Sequence, residues 1–259
     1  MVKSIEALAR GIQVLDKLRD KSPMSLANLH HETGISKATL LRILKTLQEA
    51  GWVYRSLGDS QYRLSYSLQQ VKEIQKPSVA LAELASPIIK DLQRDLQWPS
   101  DIAVRDNLTM RVVESSRPQA TFILNREQIG IKPAMLFSAL GRAYLAFCSK
   151  AEQDEIIKGI KAAGGKEGRL AHDVVWLEQL LKKTKAQGFG EREANYWGVG
   201  STDGRRIEAI AVPIIHQEKV VASLTVAWPE GNVEASKIRS LFLPRLQLAA
   251  KQISDRLPS

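Results

Sequence analysis

At 259 residues, 44% hydrophobic and 25% charged, the chain is long enough for two domains with their own cores and too apolar for wholesale disorder. Its formal charge of +9 admits a polyanionic partner, yet the excess is spread: residues 1–75 hold 11 Lys/Arg against 7 Asp/Glu, and the remainder 26 against 21. One cysteine, Cys148, excludes an intrachain disulfide framework and a thiolate metal cluster, and the four histidines form no ligand pattern, so no metal site is expected.

Taken in order, residues 4–18 predict a helix whose stripe of Ile5, Leu8, Ile12, Leu15 and Leu18 packs behind the next two helices. A breaker at Ser22-Pro23 precedes Ser25, which caps a second helix ending at Gly34. Ser36 then caps a third helix, on which Leu40, Ile43, Leu44 and Leu47 fall on one face at the i, i+3, i+4, i+7 spacing. The opposite face carries Ala38, Arg42, Lys45 and Glu49. A helix with one apolar stripe and a small, basic, hydroxyl-bearing outer face suits the DNA major groove, so residues 25–51 read as a helix-turn-helix. Ser36, Lys37, Thr39, Arg42 and Lys45 are the residues expected at the operator. Leu41 would either meet thymine methyl groups or pack against the neighbouring hairpin. That hairpin, 52–55 and 62–64 around a Gly58-Asp59-Ser60 turn, reads as a wing, with Arg55 and Arg63 placed to reach phosphates or the minor groove.

Residues 64–75 predict a linker helix closed near Pro77, followed by a long helix over 78–96 kinked or broken at Pro87. Short strands are expected at 101–105, 110–114 and 121–124, then helices at 135–148, 152–160 and 174–187. Strands at 207–215 and 220–228 and a helix at 234–257 close the chain. The fold class is therefore α+β: a winged helix-turn-helix over 1–65, a linker helix over 66–77, and an antiparallel-sheet domain with helices on its faces over 78–259. The longest apolar stretch, 134–148, is short for a membrane span and holds Arg142, and the first residues lack a signal-peptide pattern, so a cytoplasmic protein is expected.

Catalytic machinery finds no support. The glycine-rich run 198–204 has neither GxGxxG spacing nor a P-loop lysine, and Ser201 does not match GxSxG, which leaves a surface loop beside a pocket. Cys148 has no histidine near it in sequence. No cofactor and no enzymatic activity are expected.

The run Gly34-Ile35-Ser36-Lys37-Ala38-Thr39, the wing ending in Tyr62-Arg63-Leu64, Ser138-Ala139-Leu140-Gly141-Arg142-Ala143, and the strands around Ile210 and Val221 together resemble the IclR family of bacterial transcription regulators. The stretches Trp98-Pro99-Ser100-Asp101 and Leu145-Ala146-Phe147-Cys148 are most similar to its hydroxyphenylpropionate-responsive activator subgroup. The resemblance implies a GAF-like effector domain, homodimers or tetramers on palindromic double-stranded operators, and an aromatic acid effector governing aromatic catabolism. It implies a pocket formed by Met135, Ser138, Ala139, Leu140, Glu208 and Thr225, with the amides of Ala139 and Leu140 facing a ligand carboxylate; Glu208 departs from the family, where a small residue is usual, and suits a ligand group that donates a hydrogen bond, such as a phenol. Arg105 or Arg142 would supply the acid's counter-ion. The competing reading is a sensor or enzyme whose N-terminal domain serves only protein association.

Overall fold

The computed structural model describes residues 3–65, 77–119, 129–194, 196 and 204–258, which fall into two units, Met1–Lys76 and Pro77–Ser259. The expected linker helix, the strand at 121–124 and nearly all of the glycine-rich run lie outside the described residues.

In the first unit, α1 (Glu6–Lys21), α2 (Leu26–Thr33) and α3 (Lys37–Glu49) precede an antiparallel pair, β1 (Val53–Arg55) and β2 (Tyr62–Leu64). Both caps form as the sequence suggests. Ser25 Oγ accepts from the Asn28 amide at 3.1 Å and Ser36 Oγ from that of Thr39 at 3.3 Å, while Gly34 takes the left-handed φ of 68° that turns the chain between α2 and α3. Leu40, Leu44 and Leu47 are buried against Leu29, Val53 and Tyr62. The stripe on α1 is corrected: Val14 and Leu18 are its buried residues, whereas Ile5, Leu8 and Ile12 are exposed. The wing is fastened at its base, because Met24 exchanges two backbone hydrogen bonds with Tyr62, at 3.1 and 2.8 Å.

In the second unit, α4 (Pro77–Leu96) runs unbroken through Pro87. It leads to β3 (Ser100–Asp106) and β4 (Thr109–Ser115), then to α5 (Ala139–Phe147), α6 (Lys150–Ala163), α7 (Gly165–His172) and α8 (Val174–Gln187). A short β5 (Gly190–Glu191) and the long hairpin β6 (Ile207–His216) and β7 (Lys219–Pro229) complete a five-stranded antiparallel sheet of order β4-β3-β7-β6-β5. Helical turns at Ala235–Lys237 and Ile238–Phe242 lead into α9 (Leu243–Arg256).

Strand alternation sends Ile102, Ile210, Val212, Leu224, Val226 and Trp228 to one side of the sheet, under α4 and α9. Ala103, Val112 and Ala211 go to the other side, under α5. Small residues on this second face let α5 lie close, and Gly190 and Gly141 permit contacts that a side chain would block. Two helix boundaries differ from expectation. Helix α5 starts at Ala139, because Ser138 caps it by accepting from the Gly141 amide at 2.9 Å. Helix α7 follows directly on Gly164, which reads in sequence only as a stop.

Candidate functional site

Two groups of residues carry chemistry, one in each unit. On the first, Lys37, Ala38, Leu41, Arg42 and Lys45 are exposed along the outer face of α3, with Leu41 49% accessible. The side chains of Lys37 and Arg42 make no hydrogen bond or ion pair to the described residues, and Lys45 Nζ stands 3.9 Å from Glu49. The hydroxyls of Ser36 and Thr39 lie 3.0 Å apart and bond to each other, so they serve the helix start as well as the outer face.

The wing arginines are engaged locally. Arg55 Nε donates to the Ser60 carbonyl at 2.9 Å, and its guanidinium lies over the Tyr62 ring at 5.6 Å. Arg63 grips Asp59 with two nitrogens, at 3.0 and 2.5 Å. That fork, with the Gln61 amide, holds the Asp59 carboxyl well below the usual carboxylate range. The wing therefore carries less free cationic charge than its sequence suggests. Replacing Asp59 by Asn is expected to release Arg63 towards phosphate and steepen the dependence of log Kd on log salt by about one unit, the counter-ion expectation for one added contact. An unchanged slope in a salt-titrated mobility shift would leave Arg63 a purely structural brace.

In the second unit a cavity opens at the N-terminus of α5. Its enclosed space is small, about 30 Å³, and reaches about 370 Å³ only when counted out into open solvent; it is lined by Asp101, Val112, Arg117, Pro133, Ser138, Ala139, Leu140, Arg192, Tyr196, Ala209 and Thr225. The expected Ser138, Ala139, Leu140 and Thr225 are brought together here. The first-turn amides of Ala139 and Leu140 make no hydrogen bond to the described residues, as a helix start requires unless a cap or ligand serves it. Thr225 Oγ1 donates to the Ile210 carbonyl at 2.6 Å, leaving its lone pairs to accept. Tyr196 Oη accepts from the Ala134 amide at 2.7 Å, and burial pushes its pKa up to about 12, so the hydroxyl keeps its proton at neutral pH.

Four expected residues are placed elsewhere. Met135 is fully buried in the core beneath α5, where its backbone packs on Gly141. Glu208 stands one residue out of phase: it lies on the α4 and α9 side of the sheet and accepts from Trp228 Nε1 at 2.7 Å, so the phenol acceptor assigned to it is lost. Arg105 pairs with Glu152 at 3.0 Å and Glu155 at 2.5 Å, away from the cavity. Arg142 is buried and spans three groups, donating to the carbonyls of Leu136 at 2.7 Å and Glu191 at 2.9 Å and pairing with Glu193.

The charges that do line the cavity are Asp101, Arg117 and Arg192, none of them singled out by sequence. Arg117 is clamped on Asp101, with Nε at 2.9 and 2.8 Å from the two oxygens and Nη2 at 2.7 Å; Ser115 Oγ adds a bond to Asp101 at 2.7 Å. Arg192 stacks on the Tyr196 ring at 5.5 Å and donates to the Tyr196 carbonyl. Burial, and after it the neighbouring Arg117 cation, lowers its pKa to about 10. The sequence signal that could have exposed these residues is slight: Asp101 is an acid directly before the apolar run Ile102-Ala103-Val104 of β3. Among the described residues no cluster could hold a metal ion, and no helix is long and apolar enough to cross a membrane.

Residues 7–56 match the IclR helix-turn-helix domain and residues 76–255 the bacterial transcriptional regulator IclR C-terminal domain. The chain is 23% identical to the HTH-type transcriptional regulator XynR of Escherichia coli, over 98% of this chain and 97% of that one. It is 24% identical to the Pca regulon regulatory protein of Pseudomonas putida, over 97% and 84%. Among solved structures, an IclR homolog from Microbacterium hydrocarbonoxydans complexed with 4-hydroxybenzoate aligns with a TM-score of 0.52 at 19% identity, covering 97% of this chain and 99% of that one.

Proposed function

Because the chain belongs to the IclR family of bacterial transcriptional regulators, we propose that it reads a palindromic operator as a homodimer or tetramer under the control of a small aromatic acid. DNA binding in transcription control is the family's work, and its members are regulators, not enzymes. The finer reading rests on one observation above all, the cavity at the start of α5. It offers two helix amides without partners among the described residues as donors, a threonine oxygen as acceptor, and apolar walls from Val112, Pro133, Leu140 and Ala209. A flat ring with a carboxylate at one end and a hydroxyl at the other matches that distribution. The Microbacterium relative, which holds 4-hydroxybenzoate, lends support by analogy. Control of aromatic catabolism genes, in the cytoplasm where operator DNA lies, is the role that such an effector suggests.

At the operator, Lys37, Thr39, Arg42 and Lys45 meet the major groove. Arg42 is the base reader, because it is exposed mid-helix and commits its guanidinium to no neighbour among the described residues. Its replacement by Ala is expected to weaken specific binding by about 1–3 kcal/mol and to flatten preference at one base pair. Equal weakening on every sequence would reassign it to a phosphate. The whole reading is tested by a salt-dependent mobility shift with DNA upstream of the protein's own gene, with and without 4-hydroxybenzoate, benzoate and pyruvate. Binding there no tighter than to random DNA at every salt concentration would return the N-terminal unit to a mere association module. A response to pyruvate alone would replace the aromatic effector with a small keto acid.

A further inference from the structure

The turn between β1 and β2 is braced by its own side chains. The Ser56 amide donates to the Gln61 carbonyl at 2.9 Å, and the Ser60 amide to the Ser56 carbonyl at 3.0 Å, which leaves Leu57 and Gly58 at the tip. Asp59 accepts from the Gln61 amide at 3.0 Å and from two nitrogens of Arg63, at 3.0 and 2.5 Å. From the other strand Arg55 Nε donates to the Ser60 carbonyl at 2.9 Å, with its guanidinium over the Tyr62 ring. Ser60 takes a left-handed φ of 57°, an uncommon setting for a residue other than glycine, and these bonds hold it there.

What the brace holds out is apolar. Leu57 is fully exposed, whereas Val53 and Tyr62 at the base of the hairpin are buried. An exposed leucine is commonplace on a surface. Leu57 differs in its setting, because it tips a fixed turn in the unit that presents the basic face of α3. Both neighbouring arginines are committed to the turn, and the Arg63 fork neutralises Asp59, so the tip meets a phosphate-lined groove with neither a free cation nor an uncompensated acid. The hairpin also has the right reach. Extended chain from Trp52 to Leu57 spans up to about 16 Å at ~3.3 Å per residue. That is close to half of the ~34 Å turn of B-DNA, the axial step from a major groove to the minor groove beside it.

Building on the operator binding proposed above, we propose that Leu57 is a wedge that enters the minor groove beside the α3 contact and partly unstacks one base step there. The wing arginines then act as positioning residues that stiffen the turn behind it. An apolar side chain reads no hydrogen-bond pattern, so selection at that step follows its deformability and favours a flexible pyrimidine–purine step. Each half-site of a palindrome would carry one such step.

The test uses the full-length protein and duplexes from the DNA upstream of its own gene, with 2-aminopurine placed at successive adenines flanking the footprint. Wild-type protein is expected to raise the fluorescence at one step on each side, as a base loses its stacking partner. Leu57→Ala should leave that signal at the level of free duplex, and Leu57→Met should restore most of it. Because Leu57 is fully exposed, both variants should keep the wild-type thermal midpoint. The slope of log Kd against log salt should also stay unchanged, since no phosphate contact is lost. A rise that survives Leu57→Ala overturns the wedge. Tight operator binding by the wild type with no rise at any flanking step also overturns it and leaves the regulator standing. Binding no tighter than to random DNA removes the operator and this inference with it. The groove is tested separately by replacing adenine at the responding step with 2,6-diaminopurine, which adds an amino group on the minor-groove side alone. Wild-type binding should weaken while Leu57→Ala binding does not; unchanged wild-type binding overturns the minor-groove placement.

Discussion

Asp101→Ala is expected to lower the stability of the C-terminal unit by about 3–5 kcal/mol, the cost of stranding one partner of a buried ion pair. For a unit of this size that is a fall in Tm on the order of 10 °C. Asp101 is 2% exposed and Arg117 8%, so solvent does little to screen the cation left behind. The carboxylate also accepts from Ser115 Oγ, whose backbone sits opposite Asp101 across β3 and β4, so one truncation unsettles three groups. The diagnostic comparison is the double variant Asp101→Ala with Arg117→Met. Removing both charges and filling the space with an apolar chain is expected to recover most of the loss, since the pair's net contribution is far smaller than the penalty for breaking it. Urea unfolding followed by circular dichroism measures both. A double variant no better than the single one would mean that the bonds themselves, not the orphaned charge, carry the stability.

The helix-turn-helix is legible in the sequence because everything that defines it is local. Ser25, Gly34 and Ser36 set the boundaries through bonds spanning three or four residues, and Leu40, Leu44 and Leu47 repeat on a helical period with no competing stripe. Helix α1 shows what happens when a second stripe competes. Ile5, Leu8 and Ile12 share the spacing of Leu15 and Leu18, yet they stay exposed while Leu18 and the off-stripe Val14 are buried and Leu15 is half-buried, because tertiary packing and not periodicity alone decides which face turns inward. Strand β6 misleads for a related reason. Its residues are apolar on both faces, so alternation carries no phase, and nothing in the spacing separates Glu208 from its neighbour Ala209, the residue that lines the cavity.

The cavity itself can be assembled from sequence only in part. Ser138, Ala139 and Leu140 are contiguous and sit at a recognisable helix start. Asp101, Arg117, Arg192 and Thr225 converge from separate strands and loops over more than a hundred positions, and no spacing rule links them. Arginines in sequence also give no hint of their partners: Arg63, Arg105 and Arg142 are all held by carboxylates of the chain.

Gly190→Ala is the substitution expected to test whether this convergence depends on close approach of β5 to α5. An ideal Cβ at Gly190 would stand 2.4 Å from the Ala139 carbonyl oxygen, 2.6 Å from the Ala143 amide nitrogen and 3.1 Å from Arg142 Cβ. The two nearest atoms are backbone of a helix packed on the sheet, so no rotamer change relieves the contact. The backbone angle at Gly190 is not the obstacle, unlike Gly188 two residues earlier, whose φ of 84° itself disfavours a side chain. The cost is therefore one of space, about 3 kcal/mol or more, at the upper end for overpacking. The chain can accommodate the methyl group only by moving β5 away from α5. That movement stretches the 2.9 Å bond from Arg142 to the Glu191 carbonyl and shifts Arg192 from the cavity wall. Binding of 4-hydroxybenzoate in the cavity should then fall together with the thermal midpoint. A Gly190→Ala protein with wild-type stability and undiminished binding of 4-hydroxybenzoate would show that the cavity does not depend on how closely β5 packs against α5.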